Sequence, residues 1–216
     1  MDLIETLRST GSSRDFTDQP VDDATIASIL DDARFAPSGG NRQPWRVAVV
    51  HDPSIRRRLA DMMSAVWHEY LGESHDASRA PFAFGRTTGA RPLVAPNALL
   101  DEIEAVPAVL VVAADLDKVA LMDGEVGRPP VTGGASVYPF CWSILLAARA
   151  RDLGGVLTTF LSRAETMARP VLALPANHAL AATIFLGYPV RQLTKLGRQP
   201  VATFATIDRF DGVPLA

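Results

Sequence analysis

Two uninterrupted apolar runs restrict this chain to architectures that bury a sheet on both sides. The runs are AVLVVAA at 108–114 and LAATIFLGY at 180–188. Strands of this kind lie inside a sheet whose two faces are both covered, usually by helices. A third segment, SVYPFCWSILLAARARD at 136–152, is long enough for a helix and is apolar on almost every side. We therefore predict an α+β fold with a central sheet, flanking helices and one central helix.

Shorter elements are predicted around this core, within a single domain that spans residues 1–216. No repeat, low-complexity tract or linker divides the chain. Residues 72–104 show no regular pattern and are interpreted as a lid or substrate loop, and residues 115–135 are predicted to be a second loop. Periodicity, capping residues and prolines predict helices at 2–9, 23–36, 53–71 and 162–169, the last ended by Pro170, an extended segment at 154–160, a strand at 45–50 and a candidate edge strand at 202–208.

Composition argues against several functional classes. A net charge of −3 does not provide the basic face that nucleic acid binding needs. The apolar runs are far shorter than the roughly 18 residues of a membrane span, and the acidic N-terminus is unlike a signal peptide, so a cytoplasmic protein is expected. Cys141 is the single cysteine, and the four histidines do not occur at metal-ligand spacing, so neither a disulfide nor a metal site is expected.

The chain also lacks the common nucleotide and hydrolase motifs. It contains no G-x-G-x-x-G, no G-x-x-x-x-G-K-[ST] and no G-x-S-x-G. If the protein is an enzyme, a bound cofactor is therefore expected to carry the chemistry. No side chain is assigned as catalytic.

Residues 37–44, PSGGNRQP, interrupt the chain between a predicted helix and a predicted strand. Glycine lets the backbone approach a ligand closely and adopt a positive φ, and Asn41 also tolerates left-handed geometry. Ser38 and Asn41 offer short hydrogen-bonding groups, and Trp45 is expected to anchor the end of the loop in the core. The composition fits a loop that lies against a flat heterocycle with polar edges; an ordinary helix-to-strand turn is the alternative.

The segment TGSSRDF is a candidate phosphate site. The hydroxyls of Ser12 and Ser13 precede Arg14, and a guanidinium beside hydroxyls and exposed amides is a typical arrangement for binding phosphate. The alternative is a surface arginine paired with Asp15 or Asp18.

The C-terminal segment KLGRQP, at 195–200, is a second basic candidate. It places Lys195 and Arg198 in a polar stretch that follows the last apolar run. The alternative interpretation is a solvated tail.

Taken in order, these motifs resemble the FMN-dependent nitroreductase family along nearly the whole chain. The matching segments are SSRDFTDQPV, ARFAPSGGNRQPWRVAVV, LLAARARDLGGVLTT, ATIFLGYP and LGRQP. APSGGNRQPW is close to the family's most specific motif, and its spacing from the arginine motif upstream also fits. The resemblance implies a nitroreductase-like fold with a mainly antiparallel central sheet, in an intertwined homodimer. The segment 189–216 has polar stretches and no strong core pattern before residue 202, so it is expected to wrap the partner subunit.

The resemblance also implies three groups of cofactor-binding residues. The FMN phosphate is expected at Ser12, Ser13 and Arg14, with Lys195 and Arg198 reaching it from the C-terminal segment. The flavin ring is expected to lie between a loop of the partner subunit, formed by Pro37, Ser38, Gly39 and Asn41, and a largely backbone edge formed by Thr158, Thr159 and Phe160.

One position departs from the family pattern. Most members carry an arginine four residues before the position of Arg14, where this chain has Thr10. A charge-assisted hydrogen bond is worth about 1.5–3 kcal/mol. Unless Arg8, Arg91 or Lys195 replaces that cation, the resemblance implies weaker FMN binding than is usual in the family.

The implied activity is that of an FMN-dependent oxidoreductase with a ping-pong mechanism. NADH or NADPH would reduce the flavin, and a nitroaromatic, quinone or similar conjugated electrophile would then collect the electrons. Two alternatives stay open: a flavin-binding or storage protein without steady turnover, and a relative that consumes its own flavin. Contacts in 72–104 and 115–135 are expected to select the physiological substrate.

Overall fold

A four-stranded antiparallel sheet forms the centre of the computed structural model, which describes residues 2–74 and 94–215. The strands lie in the order β1-β2-β4-β3, and each neighbouring pair is antiparallel. Their bounds are Trp45–Val49 for β1, Ala108–Asp115 for β2, Gly154–Thr158 for β3 and His178–Gly187 for β4. The antiparallel sheet confirms the predicted fold class.

Helices cover both faces of this sheet. Helices α2 and α5 pack on one face, and α3, α4, α6 and α7 contribute to the core on the other. The helix bounds are Leu3–Ser9 for α1, Asp23–Ala33 for α2, Pro53–Ser74 for α3, Ala98–Asp101 for α4, Tyr138–Arg149 for α5, Phe160–Arg163 for α6 and Glu165–Val171 for α7, with 3-10 turns at Gly39–Asn41, Ile103–Ala105, Leu116–Lys118, Thr132–Gly134 and Val201–Thr203.

Strand β2 explains why its sequence is apolar without alternation. Leu110 and Val112 belong to the core beneath α2 and α5, whereas Val109 and Val111 belong to the core on the opposite face. Successive side chains of a strand point to opposite faces, so a strand covered on both sides needs apolar residues at every position. All residues of β2 are buried, which confirms the prediction.

Helix α5 is the central helix that the sequence predicts. Phe140 and Ile144 are buried against the sheet, together with the inert thiol of Cys141, whose pKa burial raises to about 12. Tyr138 and Trp142 remain 44% and 39% exposed on the other side of the helix. This chain alone therefore does not cover all of the apolar surface of α5.

The predicted edge strand at 202–208 is wrong. A 3-10 turn occupies Val201–Thr203, and Thr206 forms only an isolated bridge, to Pro214. The chain reverses tightly after it, since Arg209 N donates to Ile207 O at 2.7 Å. The apolar residues here have no sheet edge to join within the chain, and Phe204 is 71% exposed.

Several other boundaries differ from the predictions. The helix predicted at 162–169 is divided into α6 and α7, and Pro170 lies inside α7 rather than beyond it. The helix continues past the proline, as the hydrogen bond from Leu172 N to Ala168 O at 3.0 Å shows. Helix α3 extends to Ser74 instead of ending at residue 71 as predicted. Gly72 does not end the helix, since a glycine weakens a helix by only about 1 kcal/mol relative to alanine. The segment predicted to be irregular also contains α4.

Within residues 2–74 and 94–215, no helix is both long and apolar enough to cross a membrane. The same residues contain no cluster of three or more His, Cys, Asp or Glu side chains that could hold a metal ion.

Candidate functional site

The SSR motif lies along the free edge of β3. Ser12 forms a parallel bridge with Gly155, and Ser13 N donates to Gly155 O at 2.9 Å. The approach is close, because a Cβ on Gly154 would lie 2.7 Å from Ser13 Oγ. Glycine at this position therefore lets the motif add to the sheet, and the following residue, Arg14, reaches the C-terminal end of β3.

A cavity of about 530 Å³ brings Arg14 together with the end of β3. The cavity is also lined by Thr158, Thr159 and Phe160, for which the family resemblance implies contact with the flavin ring. Ser12 and Ser13 do not line this cavity; Ser13 is buried beside it in the sheet contact. We call this the first cavity.

Aromatic side chains from α3 form a second wall of the first cavity. The rings of Trp67 and Tyr70 lie 5.9 Å and 6.0 Å from the ring of Phe160, measured between centroids. Asn97, which precedes α4, lines the cavity as well. None of these three residues was assigned to the site from the sequence. Their only signal is the spacing of Trp67 and Tyr70, three positions apart on one helix face.

Arg14 carries an uncompensated charge at the first cavity. Its side chain is exposed, and among residues 2–74 and 94–215 no carboxylate lies within ion-pair distance of it. Neither Asp15 nor Asp18 pairs with it, so the alternative of an ordinary surface ion pair is wrong in this structure. In the same cavity, Thr158 Oγ1 is buried without a hydrogen-bond partner among the described residues. Both groups are available to a polar ligand.

The loop at 37–44 has a backbone that few residues adopt. Gly40, Asn41 and Gln43 have φ values of 59°, 53° and 49°. Two serine hydroxyls help to hold the loop: Gln43 N donates to Ser38 Oγ at 3.1 Å, and Gly39 N donates to Ser136 Oγ at 3.0 Å. Left-handed residues other than glycine cost free energy and concentrate at functional sites, so the loop remains a candidate functional segment.

Trp45 anchors the end of this loop, as predicted. Its ring stacks on Phe140 of α5 with 4.6 Å between centroids and 1° between planes. The stack fixes the loop to the central helix, and aromatic pairs contribute about 0.5–1.5 kcal/mol beyond their area burial.

The 37–44 loop and Arg14 line different cavities. This second cavity, of about 580 Å³, is bounded by Pro37, Ser38 and Gly39 and by residues of 118–122 and 132–136. Asn41 lies in the loop but does not line it. No lining residue is shared with the first cavity. Within one chain, the predicted cofactor residues that line a cavity therefore form two separate groups: Arg14 with Thr158–Phe160 in the first, and Pro37 with Ser38 and Gly39 in the second. The other predicted residues line neither cavity.

The C-terminal segment crosses the N-terminal side of the SSR motif. A Cβ on Gly11 would lie 2.6 Å from Leu193 Cδ1 and 2.8 Å from Leu196 Cδ2, so these leucines pack directly on the glycine. Lys195 and Arg198 belong to the same segment, and both are exposed. Neither lines the first or the second cavity.

Thr10 is bonded to the end of helix α1 and does not line the first cavity. It is buried, and its Oγ1 donates to Thr6 O at 2.7 Å at the end of the helix. Of the cations considered as replacements for the family arginine, Arg8 is exposed in the last turn of α1, and Arg91 lies outside the described residues.

Asp123 organises the segment that walls the second cavity. Its side chain is 8% exposed and accepts hydrogen bonds from Val131 N at 2.8 Å, from Arg128 Nη1 at 2.7 Å and from the amide and hydroxyl of Thr132. These donors hold the pKa of the Asp123 carboxyl well below its usual range, the Thr132 hydroxyl contributing most. A segment predicted to be a plain loop is thus tied to one buried charge.

Asp123→Asn is expected to loosen this segment at neutral pH. The amide cannot accept all the donors that face the carboxylate, so amide hydrogen exchange should accelerate in peptides covering 121–135. A folded pKa below the unfolded value of about 3.9 means that the carboxylate stabilises the fold above that pH and stops doing so as pH falls. The difference in thermal unfolding midpoint between wild type and Asp123→Asn should therefore become smaller as the pH is lowered below about 3.9. Glu125→Gln, an exposed carboxyl-to-amide change in the same segment, is the matched control.

The chain belongs to the nitroreductase family. The family model described as "Nitroreductase family" matches residues 7–188, which include the SSR motif, the 37–44 loop and all four strands. A protein of Thermus thermophilus named NADH dehydrogenase is 30% identical over 186 residues, which cover 84% of this chain and 83% of that protein.

Other similar proteins carry different names. A 5,6-dimethylbenzimidazole synthase of Rhodospirillum rubrum is 29% identical over 193 residues, covering 86% of this chain and 83% of the relative. Among solved structures, the NADPH:FMN oxidoreductase of Vibrio harveyi complexed with NAD+ superposes with a TM-score of 0.70 at 20% identity, covering 97% of this chain and 78% of that one. A Desulfovibrio desulfuricans protein described as a nitroreductase in complex with FMN gives 0.69 at 22% identity, covering 97% and 98%.

Proposed function

We propose that this protein is an FMN-dependent oxidoreductase that uses NAD(P)H to reduce nitroaromatics, quinones or similar conjugated electrophiles. The observation that carries the proposal is the first cavity, where an unpaired Arg14 meets the Thr158–Phe160 edge in a chain of the nitroreductase family. The names of its relatives, an NADH dehydrogenase and an NADPH:FMN oxidoreductase, support both the nicotinamide donor and the flavin.

The residues present fit the chemistry of FMN. The unpaired guanidinium of Arg14 suits a phosphate, which it can bind through two parallel N–H donors. Thr158 Oγ1, buried without a partner among the described residues, suits a polar atom at the rim of a ring. Ser12 and Ser13 do not line the first cavity, but they directly precede Arg14, and we propose that they adjoin the phosphate from beside it. Lys195 and Arg198 would approach it from the C-terminal segment, which packs over Gly11.

When bound, FMN would supply hydride and electron transfer between NAD(P)H and the second substrate. The protein would then need no reacting side chain, and its residues would act by position and charge. The backbone at 158–160 is our candidate for a hydrogen bond to the ring, and the aromatic wall of Trp67, Tyr70 and Phe160 would keep water from one side of the first cavity.

A homodimer would unite the two groups of cofactor residues. We infer that the 37–41 loop of one subunit lies against the flavin bound by Arg14 of the other, because the two groups line separate cavities within one chain. The half-exposed Tyr138 and Trp142 of α5 and the exposed Phe204 of the C-terminal segment are the apolar surface such an interface would bury. Obligate interfaces of this kind bury about 2,000 Å² or more.

The purified protein is expected to be yellow or to bind added FMN, and NADH or NADPH should bleach that flavin under anaerobic conditions. A visible spectrum followed by anaerobic titration measures both. Preference for FAD, or no affinity for flavin, would contradict the cofactor assignment. A flavin that binds but is not reduced by either nucleotide would instead support the storage alternative.

A second candidate is an enzyme that consumes its own flavin. The similarity to a protein of Rhodospirillum rubrum named 5,6-dimethylbenzimidazole synthase favours this alternative, because dimethylbenzimidazole has the same dimethyl-substituted benzene ring as a flavin. The two candidates differ in the fate of the cofactor. Chromatography of the flavin after many aerobic turnovers should recover intact FMN if the oxidoreductase proposal is right, and a fragment of the ring system if the second candidate is right.

A further inference from the structure

We propose that the second cavity binds an anionic group of the substrate and that Arg42 selects for it. The inference rests on the proposed oxidoreductase function and specifies the substrate class of the same site. Of the described residues that line the cavity, Arg42 and Lys118 are cationic and none is an aspartate or glutamate. A concave site lined by charge of one sign raises the local concentration of the opposite charge.

The left-handed residues on either side determine where Arg42 lies. Its own φ is −76°, but Asn41 before it and Gln43 after it have φ values of 53° and 49°. This backbone turns the Arg42 side chain back along the loop, where its Nε would lie 3.6 Å from a Cβ on Gly40. The strained part of the loop thus positions this guanidinium at the cavity wall.

The charge of Arg42 is not neutralised by the protein. In the part of the chain that the structure describes, no carboxylate pairs with Arg42, whereas Lys118 Nζ lies 3.6 Å from Asp115 Oδ2. Asp123, which adjoins the cavity wall, is already paired with Arg128 at 2.7 Å. Arg42 is therefore the group with the larger capacity to attract an anion, and Lys118 assists it.

The chemistry of a guanidinium defines the ligand. Its planar fork matches two oxygens of a phosphate or carboxylate, and such charge-assisted pairs are about twice as strong as neutral hydrogen bonds. Two substrates could present that group: the extra phosphate by which NADPH differs from NADH, or a carboxylate on the electron acceptor. Both are anions at the same cavity, and the experiment separates them.

The test compares Arg42→Gln with Arg46→Gln, which removes another exposed arginine four positions along the chain, outside the second cavity. Steady-state kcat and KM are measured with NADPH and NADH, and with para-nitrobenzoate and its neutral methyl ester. Loss of one charge-assisted pair should raise KM for an anionic substrate about tenfold. The values for its neutral counterpart should change less than about twofold, and Arg42→Lys should restore part of the preference.

The pattern of change identifies the source of the anion. A rise confined to NADPH assigns the site to the nucleotide phosphate, and a rise confined to nitrobenzoate assigns it to the acceptor. Three results would overturn the inference. Arg42→Gln could change KM equally for charged and neutral substrates, or it could shift the flavin midpoint potential and leave the KM values unchanged. The third is that Arg46→Gln has the same effect as Arg42→Gln. Failure of this inference and failure of the proposed function can be distinguished. If the wild-type protein does not turn over NADH with the neutral methyl ester, the proposed oxidoreductase function itself is contradicted.

Discussion

Replacing Arg14 with alanine is expected to weaken FMN binding by roughly 10- to 100-fold, since a charge-assisted hydrogen bond contributes about 1.5–3 kcal/mol. The effect should be large because Arg14 has no carboxylate partner among the described residues and lines the first cavity directly. Thr10, at the position where the family resemblance implies a second arginine, carries no charge, and its hydroxyl is already bonded to Thr6 O, so it cannot compensate for the loss.

Fluorescence titration of the flavin-free protein would measure the FMN dissociation constant directly. Arg14→Lys should fall between wild type and Arg14→Ala, because it keeps the charge but loses the two-pronged geometry. Arg58→Ala, which removes an exposed arginine from α3, should leave the constant unchanged. An unchanged constant in Arg14→Ala would show that Arg14 is only a surface residue.

The fold could be predicted well because its largest determinants are local. The continuous apolar residues of β2 require a sheet covered on both faces, and the α5 segment reads as a buried helix without reference to any other part of the chain. The failure at 202–208 has the opposite cause. An edge strand exists only if a neighbouring strand accepts it, and within this chain Thr206 finds only an isolated bridge.

Only part of the candidate site could be predicted, because the rest depends on contacts between segments that are far apart in the chain. The SSR motif was recognisable, but its position depends on the contact between Ser12 and Gly155, two residues far apart in the chain. Trp67 and Tyr70 were missed because aromatic residues on one helix face look like core residues until the cavity beside them is seen. Arg42 was missed because its position depends on the left-handed residues around it.

Gly39→Glu is expected to abolish FMN binding without disturbing the fold of the chain. A Cβ on Gly39 has a single neighbour within 4 Å, Ser136 Oγ at 3.8 Å, so the chain itself accepts a side chain there. The glutamate would, however, place bulk and negative charge where we propose that the flavin ring of the partner subunit lies. Gly39→Ala, which adds only the tolerated Cβ, should keep most of the binding.

A mixed dimer of Arg14→Ala and Gly39→Glu chains should recover one of its two FMN sites. If loop and phosphate site come from different subunits, one site receives both lesions and the other receives neither. If they come from the same subunit, each site carries one lesion and neither binds well. Differently tagged chains allow the mixed dimer to be isolated, and its flavin content can be read from absorbance after release. Each variant homodimer is the control and should bind little FMN. Recovery is expected because the two lesions lie in cavities that share no residue within a chain; a stable FMN-loaded monomer would refute the shared site altogether.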